Sequence, residues 1–207
     1  SLPASKLASG CRSAAAPLPL TRRKRTRMNH DISVGGRFAC TAARVFDGER
    51  TLADHAVVVE KGVVSAIVPR RSLPDGVPLW HEPDSTILPG LIDTHVHFMR
   101  WQGPLFLAHG VTTVRDVGNS LEWILARRRE WKQNLWPRIL CVGPVLDGAK
   151  PYHTIVSRRC TDADDAVAAV RETAAAGVDG IKLYVGLKPE WLTPMAREGH
   201  AAGCRVS

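Results

Sequence analysis

The sequence predicts an α/β protein: a small antiparallel β region followed by the first four to five strands of a parallel (β/α)8 TIM barrel. Three observations predict it. Short β-branched segments separated by polar and glycine turns occupy Arg37 to about Arg70, strand-like and helix-like segments alternate from Ser85 onward, and the later strands are short, as buried barrel strands are. The composition, 44% hydrophobic and 23% charged over 207 residues, is that of a globular chain able to bury a sizeable core, and no apolar run is long enough to span a bilayer.

Residues 1–36 are expected to be a leader outside the fold. The formal net charge of +8 is concentrated there: Lys6, Arg12, Arg22, Arg23, Lys24, Arg25 and Arg27 occur within the first 30 residues with no acid, whereas the remainder carries 21 basic and 20 acidic residues. The folded part is therefore nearly neutral and has no electrostatic footprint for a polyanion, so the expected partner is a small-molecule substrate rather than nucleic acid or membrane. The chain begins at Ser1 and Met28 follows a Pro, Ala and Arg-rich stretch, so the leader reads as upstream read-through before a start at Met28. The rival is a targeting segment, either a transit peptide or, from Ala8-Ser9-Gly10-Cys11, a lipoprotein signal. Five cysteines without a CxxC pair suggest neither a zinc ribbon nor a disulfide framework; reduced thiols in a cytoplasmic protein account for them.

A β domain over residues 37–84 is expected next, with strands at Phe38–Val45, His55–Glu60 and Val63–Val68, turns at Asp47-Gly48 and Lys61-Gly62, and a loop from Arg71 to Asp84 set by Pro74, Gly76, Pro78 and Pro83. Residues 85–207 then read as strands at Ser85–His95, Val111–Asp116, Arg138–Val142, Gly180–Tyr184 and Cys204–Ser207. Helices fall between them near Pro104–His109, Leu121–Gln133, Asp162–Ala175 and Pro189–Ala202. Thr161 is a candidate N-cap and Gly177 a candidate C-terminal glycine. Four β/α units and the opening of a fifth can be counted from Ser85, against the eight of a complete barrel.

The chemistry-bearing feature is Ile87-Leu88-Pro89-Gly90-Leu91-Ile92-Asp93-Thr94-His95-Val96-His97. On a strand, residues i and i+2 share a face, so His95 and His97 can offer two imidazoles to one metal ion. Asp93 has the same parity and either points into the barrel or caps and orients a ligand. Asp116 and Arg115 belong to the barrel mouth or its packing, His153 lies in a loop where it could meet substrate, and Arg127-Arg128-Arg129 reads as a solvated helix face.

From Cys40 to Ser207 the chain resembles the N-terminal half of the amidohydrolase superfamily of metal-dependent hydrolases, in the group of imidazolonepropionases and prolidase-like enzymes. Five blocks carry the resemblance in order: the small β region, Leu88 to His97, Gly110-Val111-Thr112-Thr113-Val114-Arg115-Asp116, Gly143-Pro144-Val145-Leu146-Asp147-Gly148, and Gly177-Val178-Asp179-Gly180-Ile181-Lys182. The resemblance implies a site at the C-terminal mouth of the barrel for one or two divalent ions, zinc above all. His95 and His97 would bind the more buried ion, and Lys182, carboxylated by carbon dioxide, would bridge two. Only a neutral amine forms a carbamate, so a buried position beside cations suits such a lysine. The family's remaining ligands, two histidines and an aspartate that is also the general base, would lie beyond Ser207. No catalytic residue is therefore assigned within the chain, which reads as a fragment inactive by itself.

The implied activity of the complete protein is hydrolysis of a carbon–nitrogen bond, in an amide, lactam or dipeptide, by a metal-activated water. Bonds other than peptide bonds are the expected class, and a homo-oligomer is compatible with the full-length form. Three alternatives stand beside this. The same scaffold could hydrolyse an organophosphate or ester, the chain could be a non-catalytic half-barrel that pairs with a partner, or Lys182 could form a Schiff base in an aldolase. The bland reading of Lys182 is a strand-end lysine reaching to solvent.

Overall fold

The structure is a computed structural model that describes residues 36–207. The expected leader falls almost wholly outside the described residues, as does Cys11. The described chain forms two compact units that meet in sequence between Ile87 and Leu88.

The first unit is one sheet. Its central strand β1 (Arg37–Phe46) pairs antiparallel with β2 (Thr51–Ala53) and β3 (His55–Glu60), and β3 pairs antiparallel with β4 (Val63–Pro69). The turns are set locally. Asp47 Oδ1 accepts the N–H groups of Glu49 (2.9 Å) and Arg50 (2.7 Å), and Lys61 and Gly62 both take positive φ (50° and 77°), the two-residue hairpin geometry that matches strand twist. Ala39, Val45, Ala56 and Val58 form the buried face.

Two expectations change here. The segment predicted as loop up to Asp84 contains a strand, β5 (Leu79–Ile87), which runs parallel to β1. Its Pro83, the residue that argued for a loop, lies between Glu82 and Thr86, where the register with β1 shifts and a ladder donor is not needed. The strand expected over Ser85–His95 is consequently two strands, β5 and β6 (Leu91–Val96), interrupted at Leu88-Pro89-Gly90.

The second unit alternates strands and helices: β6, α1 (Gly103–Ala108), β7 (Val111–Asp116), α2 (Leu121–Glu130), β8 (Arg138–Cys141), β9 (Val145–Asp147), β10 (Ser157–Arg159), α3 (Ala163–Ala175), β11 (Gly180–Leu183), α4 (Pro189–Ala201) and β12 (Arg205–Val206). All its strand pairs are parallel, in two sheets ordered β6-β7-β8 and β10-β9-β11-β12. The stretch Arg138–Asp147 joins the first sheet with its early half and the second with its late half, turning at Gly143 (φ 71°) and Pro144. The sequence reading missed β9 and β10 because three-residue strands carry no period of their own.

Two apolar clusters hold the unit together. Ala166, Ala169 and Val170 of α3 and Trp191 and Met195 of α4 pack with Leu146 and Ile181 of the sheet. Phe98 centres the other, 5.6 Å from the Trp136 ring, 6.4 Å from Phe106 and 6.5 Å from Trp123, with Val96, Val114, Ile124 and Ile139 around it. Complete burial of such a ring stabilises by roughly 1.5–3 kcal/mol.

The N-cap of α3 is Asp162 rather than Thr161: its carboxylate accepts the Asp165 N–H (2.9 Å). Gly177 does follow the end of α3, at φ 83°. The arginine run on α2 is no simple solvated face. Arg127 lies over the Trp123 ring, and Arg128 reaches Asp179 Oδ2 (2.8 Å) and the Gly177 carbonyl (2.7 Å), tying α2 to the turn before β11. Among the described residues no helix is long and apolar enough to cross a membrane, and Cys40, Cys141, Cys160 and Cys204 are unpaired.

Candidate functional site

The candidate site gathers where β6, β7 and β9 end. His95 is in the last turn of the pleat of β6 and His97 is one residue beyond the strand, with their ring centroids 6.1 Å apart. Two imidazoles on one tetrahedral ion, at about 2 Å per metal–nitrogen bond, would place their centroids roughly 5 Å apart. The pair is thus about an ångström wider than one ion requires. Val96 and Phe98 alternate with the histidines and are buried in the aromatic cluster, so the same pleat that anchors the segment turns the imidazoles outward.

The ring of His97 is held by a hydrogen bond between Nδ1 and the Gly118 carbonyl, 2.8 Å. A carbonyl only accepts, so Nδ1 carries the proton and Nε2 keeps its lone pair free, the tautomer a metal ligand needs. Gly118 is required by this approach. A Cβ there would lie 3.0 Å from His97 Cε1 and 2.7 Å from Val145 Cγ2.

Asp116, the last residue of β7, is fully buried and governs the arrangement. Its Oδ2 accepts the Phe98 N–H (2.7 Å) and the Asn119 side-chain amide (2.6 Å), and its Oδ1 accepts the Gly118 N–H (3.2 Å). One carboxylate therefore pins both the residue after His97 and the residue whose carbonyl orients His97. Burial pushes its pKa up, and the bonds from Phe98, Asn119 and Gly118 and the nearby His97 pull the other way. Asp116, expected at the barrel mouth or in its packing, is thus the residue that holds the loop bearing His97.

Asp93 does not share the histidines' direction. A bulge lies between Asp93 and Val96, and Asp93 pairs with Val114; its Oδ1 accepts the His95 N–H at 3.1 Å, so it caps rather than enters the site. Arg115 also lies elsewhere, donating to Ser207 Oγ (2.8 Å) and lining a separate cavity of about 420 Å³ with Thr94 and Leu140.

His153 stands across the cleft from His97, ring centroids 6.5 Å apart. The two, with Met99, Asn119, Tyr152 and Ile155, line a cleft of about 520 Å³. Lys182 lies on β11, half-buried, paired in register with Val145. Paired residues face the same side of a sheet, and Val145 is the side chain that closes on Gly118, so Lys182 shares the face that leads toward His97. Among the described residues no three His, Cys, Asp or Glu side chains converge to hold a metal. His95 and His97 stand together at the end of β6, with Lys182 on the face that leads toward them. Gly118, Asn119 and Tyr152 were not singled out from the sequence; for the first two the Asp116-Val117-Gly118-Asn119 run at a strand end was the signal available.

A family model described as the NagA composite domain matches residues 38–80, within the first unit. No match is found among curated protein sequences. Several solved structures share the fold. A prolidase complexed with N-methylphosphonate-L-proline matches with TM-score 0.68 and 20% identity, over 82% of this chain and 55% of that one. An amidohydrolase matches with TM-score 0.68 and 19% identity, over 82% and 55%. The ochratoxinase of A. niger matches with TM-score 0.69 and 16% identity, over 83% and 55%. The fold is that of the amidohydrolase structures. This chain spans about half the length of the solved structures it matches.

Proposed function

We propose that this chain is the N-terminal part of a metal-dependent amidohydrolase. Its strands β6, β7, β8 with β9, β11 and β12 are read as the first five of a (β/α)8 barrel, and the complete protein as hydrolysing a carbon–nitrogen bond in a small amide, lactam or dipeptide. Peptide bonds are kept in that class because a prolidase shares the fold.

The observation that carries the reading is the hydrogen bond from His97 Nδ1 to Gly118, which leaves Nε2 bare beside His95 at the edge of a cleft. His95 and His97 would hold a divalent ion, most simply zinc, with carboxylated Lys182 as a bridging ligand. When bound, the metal supplies an acidified water and a Lewis acid for the carbonyl. The rest falls to the chain's own groups. Asp116 fixes the loop that bears His97, and Gly118 fixes its tautomer. His153 and Asn119 offer polar contacts to a substrate, while Met99, Tyr152 and Ile155 give apolar surface along the open side of the cleft. A cleft of about 520 Å³ suits a small molecule rather than a polymer.

The test is a metal count and a substrate panel on the full-length gene product. One or two divalent ions per chain are expected, with turnover of an amide, lactam or dipeptide, and His97→Ala should lower both occupancy and turnover at least about a hundredfold. Metal-free protein inert to the whole panel would point instead to a non-catalytic partner. Turnover confined to phosphotriesters would make the protein an ester hydrolase.

A further inference from the structure

Asp147 ends β9 and is fully buried, and nothing proposed so far uses it. Its Oδ1 accepts the N–H groups of Gly148 (2.9 Å) and Gly186 (2.8 Å), and its Oδ2 accepts that of Tyr152 (2.9 Å). The donors come from two loops. Residues 148–156 carry Tyr152 and His153 into the cleft wall, and residues 184–188 follow the strand that bears Lys182.

The two loops also meet backbone to backbone. A Cβ on Gly148 would overlap the Gly186 carbonyl, and one on Gly186 would come within 2.6 Å of Asp147 Oδ1. Beyond this contact His153 Nε2 and Tyr184 Oη are 3.3 Å apart, with ring centroids at 5.4 Å.

We propose that Asp147 is a positioning residue. It clasps the loops after β9 and β11 together and so holds the His153–Tyr184 pair opposite His97. The functional weight of the clasp rests on reading the cleft as the hydrolase site, but the clasp itself does not. Three N–H donors converge on one side chain, and only a carboxylate is an acceptor on both oxygens. An asparagine must set its NH₂ against one group of donors. Two donors face Oδ1 and one faces Oδ2, so it keeps its oxygen on Gly148 and Gly186 and leaves the Tyr152 N–H without an acceptor. Asp147→Asn therefore frees the Tyr152 end of the first loop, and Asp147→Ala frees both loops.

The experiment is residue-resolved amide exchange on the full-length protein, together with through-space NMR contacts between the His153 and Tyr184 rings. In Asp147→Asn, Tyr152 exchange should rise about tenfold or more while Gly186 stays within about twofold, and the ring contacts should be lost. In Asp147→Ala both amides should exchange faster. Gly148→Ala, which keeps the carboxylate and wedges the loops apart at the glycine contact, should also speed both amides and serves if the Asp147 variants do not fold. Unchanged Tyr152 exchange in Asp147→Asn, or selective exchange with the ring contacts intact, would overturn the proposal. These readouts need neither substrate nor metal, so a protein that hydrolyses nothing would sink the hydrolase reading and leave the clasp standing.

Discussion

The two units of the chain solve the same problem, where to send the backbone when a strand ends, in opposite ways. In the first sheet the turns are closed within a few residues: Asp47 bonds to Glu49 and Arg50, and Lys61-Gly62 folds the next hairpin through positive φ alone. In the second unit the strand ends are closed by carboxylates reaching far along the chain. Asp116, at the end of β7, binds Phe98, 18 residues away, and Asp147, at the end of β9, binds Gly186 at a separation of 39. Parallel strands cannot be joined by a tight hairpin, so their loops emerge independently and must be stitched to each other. The stitched end is also where the histidines stand, which is why a parallel scaffold can hold loops from distant parts of the sequence as one surface.

This contrast predicts the size of mutational effects. Asp116→Ala strands two buried backbone N–H groups and the Asn119 amide at once, and should cost about 3–5 kcal/mol, read as a shift in urea midpoint, with loss of the His97 orientation. A cost below about 1 kcal/mol would mean that the loops hold themselves and the contrast fails. Asp47→Ala removes two local, solvent-exposed turn bonds and should move the urea midpoint far less than Asp116→Ala does.

The smallest effect concerns acid. The Arg158 guanidinium 2.6 Å away, with the Thr161 N–H, holds the Asp165 carboxyl down to about 2. A carboxyl lowered in the folded state stabilises fully above its ordinary value near 3.8 and loses that contribution as pH falls through about 2. Asp165→Asn should therefore flatten the acid limb of the stability curve between about pH 4 and 2. The change should be no more than about 1 kcal/mol, because the pair is open to solvent on one side. An unchanged acid limb would show that this surface bridge contributes nothing.

What is local in the fold is legible in the sequence. β3 and β7 lie at their expected bounds, the helices shift by a residue or two apart from α2, whose last turn is a short 3-10 turn at Trp131–Gln133, and both hairpin turns are where Asp47-Gly48 and Lys61-Gly62 placed them. Each follows from a period or turn preference contained in a few consecutive residues. The strand β5 escaped because the proline signal was read without the bulge that tolerates it. The site was half legible. His95 and His97 could be singled out by type and spacing and Lys182 only through the family resemblance, whereas Asp93 could not be assigned a face, because one bulge between it and Val96 reverses the alternation.

The sequence by itself determined the alternation of elements, the apolar faces and the residues capable of metal chemistry, since propensity, period and side-chain chemistry are properties of neighbours along the chain. Only the tertiary structure decided that His97 presents Nε2, that Gly118 is the residue fixing it, that His153 faces it across a cleft, and that Asp116 and Asp147 hold the loops in place. Each of those facts is a hydrogen bond or close approach between segments more than a few residues apart, or a bond whose partner exists only once the strands are in register, and no local pattern in the sequence encodes such a distance.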